Sequence, residues 1–478
     1  MANKEKVIPA LILCAFISTT AAARQTTFNG SVAIGSDYDS NVFQTDNNRT
    51  DEWLNTLETK MALESKGSDN LVSLSYNPTF TYNNRRETTS KRHDLDMKVQ
   101  RDISERWQMT LDNAYSYRDS PNFESNAALS LARQFQRADD FTQTEVVRLL
   151  FPEIVWEPQQ LTYVLSDIST RYQQATTQDQ NTVRNLLNTN DGQGRQRYFT
   201  NDLSLTSIYK FAEDSQLVMG YSLKTLDNRT GIQADKTGHN PTIDLTWRLN
   251  KSWLFEGGYN YSYKHFDTTD NSTTNNPHLR ASYNFAANNK LTAGFDYEDI
   301  TYDGNTASST NQTFSLSWDK GLDRLTTIDS GLDLSYNNRE RAGDERELAV
   351  SLGITRRIDR GSISVSGDSS WTASNGTGSW NDLRQAWGLT TSANYQFRQD
   401  LNSTADISYE RRYAWDNQGK TTYNDLKAGA GLSWNFYRWF SLDLNYDYKL
   451  LDSDSTYLDD YNEHLITIKL SAANQWQL

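Results

Sequence analysis

The clearest pattern in the chain is the stretch Phe440–Leu450, which reads FSLDLNYDYKL. Apolar and polar residues alternate along the whole stretch without a break. Successive side chains of a β-strand point to opposite faces of a sheet, so one face of this strand is apolar and the other is polar. The length matches the roughly 9–11 residues with which a tilted strand crosses a bilayer. The stretch therefore predicts a transmembrane β-strand.

About twenty alternating segments of this kind occupy residues 24–478, and their connections alternate in length. Short turns such as residues 67–70 and 288–289 alternate with longer polar loops such as residues 228–239 and 452–463. Bacterial outer-membrane barrels have this arrangement, with short periplasmic turns and longer outer loops. A soluble sandwich would instead pack two apolar faces against each other. We therefore predict an all-β protein, a transmembrane antiparallel up-and-down β-barrel of about 18–20 strands in the outer membrane.

The composition is consistent with such a barrel and excludes several other classes of protein. Hydrophobic residues make up only 36% of the chain, and the mean hydropathy of -0.76 excludes a helical membrane protein. Aromatic residues make up 12%, which is typical of barrels with interfacial aromatic girdles and not of disordered acidic chains. The net charge of -14 disfavours binding to nucleic acid.

Residues 1–23 have the features of a secretory signal peptide. Two lysines precede the apolar run Val7–Ile17, and Ala21–Ala23 offers a cleavage site made of small residues. A membrane anchor is the alternative, but the run is shorter than the ~18 residues of a spanning helix. The chain's one cysteine, Cys14, lies inside this segment, and the bulky Leu13 before it argues against a lipoprotein. The mature protein is therefore expected to contain no disulfide.

Residues 120–194 break the strand pattern and show helical spacing instead. Asp139 and Asp140 precede the run Thr142–Leu150 and could cap a helix there. Strand parity places this insertion after the fifth strand, in an outer loop of the barrel. Two interpretations stay open: a lid or plug that narrows the lumen, or a surface decoration.

The strand faces opposite the apolar residues carry both signs of charge among many Ser, Thr and Asn residues. Such a lining predicts a hydrated lumen with little preference for ion sign, suited to hydroxylated cargo such as sugars. Alternatively, the charges only pair across strands and hold the barrel open. The predicted lumen-lining residues are Asp94, Asp96, Lys98, Asp112, Arg248, Glu256, Lys264, Arg280, Asp296, Glu298, Asp406, Glu410, Arg412, Asp443, Asp447 and Lys449.

We find no sequence signature of an enzyme or of a bound cofactor. The five histidines occur singly and without metal-ligand spacing, and the carboxylates Asp296 and Glu298 have the spacing of ordinary lining residues. Four aspartates in the last outer loop could hold Ca²⁺, and a solvated loop is the alternative. These aspartates are Asp452, Asp454, Asp459 and Asp460.

The segment Gly35–Phe43, which reads GSDYDSNVF, resembles the opening of the β-barrel porin 2 family. Members of that family are large outer-membrane barrels associated with exopolysaccharide synthesis and export. The last strand, from Ile466 to Leu478, resembles the terminal strand that the outer-membrane assembly machinery reads. The resemblance implies contact with outer-membrane lipid and lipopolysaccharide, with that machinery and with periplasmic polysaccharide-export components.

Three functions follow as hypotheses from these patterns. The first is a channel for export of a secreted polysaccharide. The second is a general diffusion porin for small solutes such as sugars. The third is a barrel without a transport role that presents its outer loops at the cell surface.

Overall fold

The structure of the protein is a computed structural model. It describes residues 24–41, 51–85, 87–121, 140–152, 195–228, 235–267, 270–304, 308–339, 343–375, 381–416, 419–454 and 460–477, and scattered positions between 135 and 183. The predicted signal peptide at residues 1–23 lies outside these ranges. The described residues form one sheet of 20 strands.

The strands follow one another along the chain, interrupted once by a helix. They are β1 (Gln25–Asp39), β2 (Glu52–Lys66), β3 (Asn70–Asn83), β4 (Thr88–Ser104), β5 (Trp107–Pro121), β6 (Arg195–Ala212), β7 (Ser215–Asn228), β8 (Lys236–Arg248), β9 (Trp253–Phe266), β10 (Ser272–Ala286), β11 (Asn289–Tyr302), β12 (Ser309–Gly321), β13 (Thr326–Arg339), β14 (Gly343–Ile358), β15 (Gly361–Asn375), β16 (Asn381–Arg398), β17 (Leu401–Asp416), β18 (Gly419–Tyr437), β19 (Phe440–Ser453) and β20 (Tyr461–Gln477). The helix is α1 (Asp140–Leu150), between β5 and β6.

The sheet closes on itself. Each strand pairs antiparallel with the next along the chain, and β1 pairs with β20 from Thr27–Gln477 to Asp39–Leu465. Closure satisfies the hydrogen-bonding groups that a sheet edge would leave open, which a strand in a bilayer requires. The predicted all-β antiparallel barrel is confirmed, with 20 strands.

The connections differ in length at the two ends of the barrel. At one end the turns are as short as residues 105–106 and 213–214. At the other end lie longer connections, including residues 40–51, 229–235 and 454–460, and the insertion between Pro121 and Arg195. The start of β1 and the end of β20 lie at the short-turn end, which is the periplasmic end of bacterial barrels. The insertion begins and ends at the opposite end of the barrel, and its place in an outer loop stays a prediction.

Large apolar side chains lie on the outside of the barrel. Leu279 is 65% exposed, Ile34 is 63% exposed and Leu352 is 60% exposed. Among the described barrel residues, the buried apolar side chains are Ala33, Val99 and Leu111. Such a large apolar exterior is unfavourable in water and favourable against lipid chains, because burial of apolar surface gains roughly 25 cal/mol per Å². No described helix has the length and hydropathy to cross a membrane.

The insertion has an apolar core of its own around α1. Val146, Val147 and Leu150 of the helix pack with Phe151, and all four are almost completely buried. The remaining buried members come from the same segment: Phe135, Val164, Ile168 and Val183. The described members of this core are thus all insertion residues, so its packing is internal. Its action as a lid or plug stays a prediction.

Candidate functional site

The predicted lining residues all lie on the strand face opposite the exposed apolar side chains, which is the inner face of the barrel. They come from eight strands in three separate arcs of the wall. β4 and β5 carry Asp94, Asp96, Lys98 and Asp112; β8 to β11 carry Arg248, Glu256, Lys264, Arg280, Asp296 and Glu298; β17 and β19 carry Asp406, Glu410, Arg412, Asp443, Asp447 and Lys449. Their part in conduction stays a prediction.

Many of the inward cations are already paired with carboxylates. Within the predicted set, Lys98 Nζ lies 3.9 Å from Asp112 Oδ1, and Arg280 Nη2 lies 3.6 Å from Asp296 Oδ1. Arg412 also pairs with Glu410 within the predicted set, and two further pairs join predicted residues to others: Arg248 with Asp214 and Lys449 with Glu463. Most of these pairs are solvent-accessible and contribute little to stability, whereas the Glu463 side chain in the Lys449 pair is buried. They do neutralise most of the positive charge that faces the lumen.

The inner face from β12 to β17 has a different chemistry, and we call it the hydroxyl wall. On β15 the described inward side chains are serines and one aspartate, Asp368. Ser364 Oγ lies 2.6 Å from Ser392 Oγ on β16, and Thr313 Oγ1 lies 2.9 Å from Ser335 Oγ. The hydroxyl residues of this wall are Thr313, Ser315, Ser317, Ser335, Ser351, Thr355, Ser362, Ser364, Ser366, Ser370, Thr390, Ser392, Thr404 and Ser408.

Several inward aspartates have no such partner. Asp329, Asp368, Asp406 and Asp447 form no ion pair or side-chain hydrogen bond with any described residue. Each instead leans over a glycine of the adjacent strand, as Asp368 does over Gly388. On the described inner face, these four aspartates therefore carry negative charge with no cation paired to it. This differs from the balanced lining that residue counts alone led us to expect, because counting cannot reveal which cations are already paired.

A repeated hydrogen bond lies on the lipid-facing side, about midway along the strands. In each case a tyrosine on an outward-running strand bonds to a side chain near the start of the following strand. The distances from the phenol oxygen are 2.6–3.0 Å. The pairs are Tyr76–His93, Tyr221–His239, Tyr259–Asn275, Tyr409–Asn424 and Tyr446–His464. Tyrosines with a bonded polar tip are suited to the membrane–water interface, so we expect this girdle to lie at the outer edge of the lipid.

We expect Tyr446→Phe to reduce the stability of the folded barrel by about 1 kcal/mol, because it removes one hydrogen bond and keeps the ring. Urea unfolding of the barrel refolded in lipid vesicles measures this change. Tyr448→Phe is the matched control, since the Tyr448 ring also lies 5.0 Å from the His464 ring but its hydroxyl is not part of the girdle. Equal losses in the two variants would contradict the role given to the Tyr446 hydroxyl.

The aspartates predicted as possible Ca²⁺ ligands act as hydrogen-bond acceptors for the chain itself. Asp452 accepts from the Asn424 amide, Asp454 from the backbone N–H of Thr422, and Asp460 from the backbone N–H of Ser453. Asp459 lies outside the described residues. Across the described part of the chain, no three His, Cys, Asp or Glu residues are grouped as a metal site.

Solved structures similar to this fold include siderophore receptors and an iron transporter. A mutant of the ferric enterobactin receptor of Pseudomonas aeruginosa matches with a TM-score of 0.57 and 10% identity, over 95% of this chain and 82% of that chain. The FrpB iron transporter of Neisseria meningitidis matches at 0.56 and 10%, over 93% and 81%. The siderophore receptor PirA of Acinetobacter baumannii matches at 0.53 and 10%, over 95% and 81%.

This chain is an outer-membrane β-barrel. The likeness extends over nearly its whole length, and at such low identity it concerns the fold alone. No protein-family model and no curated protein sequence matches. The resemblance of residues 35–43 to the β-barrel porin 2 family therefore stays a prediction.

Proposed function

We propose that the protein is a channel for hydrophilic solutes across the outer membrane and that its cargo is a secreted polysaccharide. The hydroxyl wall is the observation that carries this proposal. It presents Ser and Thr hydroxyls along much of the lumen height, with carboxylates such as Asp329 and Asp368 between them. A hydroxyl both donates and accepts hydrogen bonds, so such a wall can exchange partners with the hydroxyls of a moving sugar chain.

The width of the barrel supports a large cargo. Twenty strands spaced about 4.8 Å apart and tilted by about 40° give a backbone ring roughly 40 Å across. Inward side chains reduce this diameter, and those of the hydroxyl wall are short. A ring of this size without an obstruction would also leak small solutes. The outer insertion, with its own packed core, is the described element that can limit such a leak.

Two measurements test the proposal. The purified protein in planar bilayers is expected to conduct ions, and absence of current from every variant would overturn the channel function. In the source bacterium, deletion of the gene is expected to abolish the surface polysaccharide, and normal polymer would overturn the cargo assignment. Uptake of ferric enterobactin is measured in the same strain, because solved barrels of this fold include its receptor.

A second candidate is a general diffusion porin for small solutes, which the ion-paired arcs of β4 to β11 favour. Pairs such as Lys224–Asp202, with 3.2 Å between Nζ and Oδ2, hydrate the wall without holding a solute. The bilayer measurement separates the two candidates. A permanently open, large conductance in the intact chain supports a diffusion porin, whereas a low conductance supports a gated conduit.

A further inference from the structure

Three lysines face the lumen together, between the tyrosine girdle and the end of the barrel that has the longer connections. Lys224 of β7 and Lys264 of β9 are both register partners of Gly238 of β8, and Lys236 precedes Gly238 by two residues. Neighbouring strands lie about 4.8 Å apart, so the three lysine Cα atoms lie within roughly 10 Å of one another. Gly238 has no side chain to separate the lysines on either side of it. We call Lys224, Lys236 and Lys264 the lysine cluster.

The lysine cluster has fewer carboxylates than ammonium groups. Lys224 Nζ lies 3.2 Å from Asp202 Oδ2. Lys236 and Lys264 form no ion pair with any described residue. Lys236 instead lies over an aromatic ring, with its Nζ 5.5 Å from the ring centre of Phe266. The cluster therefore contains two ammonium groups without a counter-charge.

This arrangement is unfavourable for the protein alone, since like charges on neighbouring strands repel. Lys236 is the first residue of β8 and lies beyond the girdle residue His239, on the side away from the lipid. Burial and the charges of Lys264 and Lys224 lower the pKa of the Lys236 ammonium. The protonated form is thus disfavoured, and an anion bound nearby would favour it again.

Lysines elsewhere on the inner face are neutralised within the protein. Lys98 pairs with Asp112, Lys427 with Asp425 and Lys449 with Glu463. The unpaired aspartates described above lie on β13 to β19, in a different part of the wall. An anionic solute is repelled by those aspartates and attracted by the lysine cluster.

We propose that Lys236 and Lys264 bind the anionic groups of an acidic polysaccharide. The inference deepens the proposed channel function by giving the charge of the cargo, and it rests on that function for the cargo being a sugar chain. Lysine ammonium groups bind oxyanions as point charges with rotatable donors, which suits a chain that moves past them. Lys224, which Asp202 holds, adds positive charge beside them. The hydroxyl wall bonds to the hydroxyls of the same chain.

The test is isothermal titration calorimetry at low salt with the full-length mature barrel in a non-ionic detergent. The anionic probe is trigalacturonate, in which each sugar unit carries a carboxylate, and maltotriose is the neutral probe of equal length. Trigalacturonate is expected to bind about tenfold more tightly than maltotriose. An ionic strength of about 1 M is expected to remove most of this preference, because salt screens accessible charges.

Lys236→Gln together with Lys264→Gln removes both charges and nearly keeps the length of the side chains. This double variant is expected to bind trigalacturonate about tenfold more weakly, the effect of losing two partly screened ion pairs. It is also expected to be at least as stable as the intact chain, because it loses repulsion and no ion pair. Lys98→Gln is the matched control, since Asp112 already neutralises this inward lysine.

Heat-shifted migration on gels confirms that each variant is folded before its binding is compared. The proposal is overturned if trigalacturonate binds no better than maltotriose, if the double variant binds it as well as the intact chain, or if Lys98→Gln loses as much affinity. Inorganic phosphate binding as tightly as trigalacturonate would also overturn it, because the site would then hold a free ion. Trigalacturonate binding without any bilayer current would refute the channel and leave the anion site standing. Current without trigalacturonate binding would refute the site and leave the channel standing.

Discussion

Replacing residues 122–194 by an Asn-Gly turn is expected to raise the single-channel conductance several-fold over that of the intact chain. Pro121 of β5 and Arg195 of β6 are direct partners in the ladder, so a two-residue hairpin turn can join the strands without changing their register. The described apolar core of the insertion consists of insertion residues alone, so removing the insertion takes none of these packing contacts from the barrel wall. Planar-bilayer recording measures the change.

The control is a variant that loosens the insertion and keeps its length. Val147 is 1% exposed inside the insertion core, so Val147→Asp buries an unpaired charge and should unfold this element alone. Limited proteolysis is expected to cut the insertion in this variant while the barrel stays resistant. If the deletion left the conductance unchanged, the insertion would be a surface decoration, the alternative raised by the sequence.

Leu352→Arg is expected to destabilise the barrel by about 2–4 kcal/mol, the cost of a cation on the lipid face near the membrane midplane. Leu352 lies near the middle of β14 and is 60% exposed on the outer face. Ser351→Arg is the matched control, because the adjacent residue points into the wet lumen and an arginine there stays hydrated. Unfolding of both variants in lipid vesicles measures the difference. Equal losses would contradict the assignment of the two faces.

The architecture could be predicted from the sequence because one physical constraint acts on every strand. Lipid outside the barrel and water inside it require apolar and polar residues to alternate along every strand. The long alternating run Phe440–Leu450 accordingly lies in β19, which extends to Ser453. The direction of each lining residue follows from the same alternation, so Asp94 and Lys449 could be placed on one face without coordinates. The helix Asp140–Leu150 could also be predicted, from the helical spacing of its apolar residues and from the aspartates at its start.

The chemistry of the lumen could not be predicted in the same way, because it depends on register between strands. Asp406 and Asp447 face each other across Gly429 because β17, β18 and β19 pair in one particular register. The sequence of a single strand does not contain that register. The tyrosine girdle was missed for the same reason. The nearest sequence signal is the spacing of 15 to 18 residues between partners such as Tyr409 and Asn424 or Tyr446 and His464.

The joint between β1 and β20 has a consequence for how the protein is made. Phe28 pairs with Trp476, so the contact that completes the ring joins residues almost the full chain length apart. Contacts of such high sequence separation have a large entropic cost and form slowly. The backbone N–H and C=O groups along one edge of β1 therefore have no strand partner until β20 has been synthesised and has paired with it. Truncation of only the final strand should therefore leave a species that aggregates rather than a smaller pore.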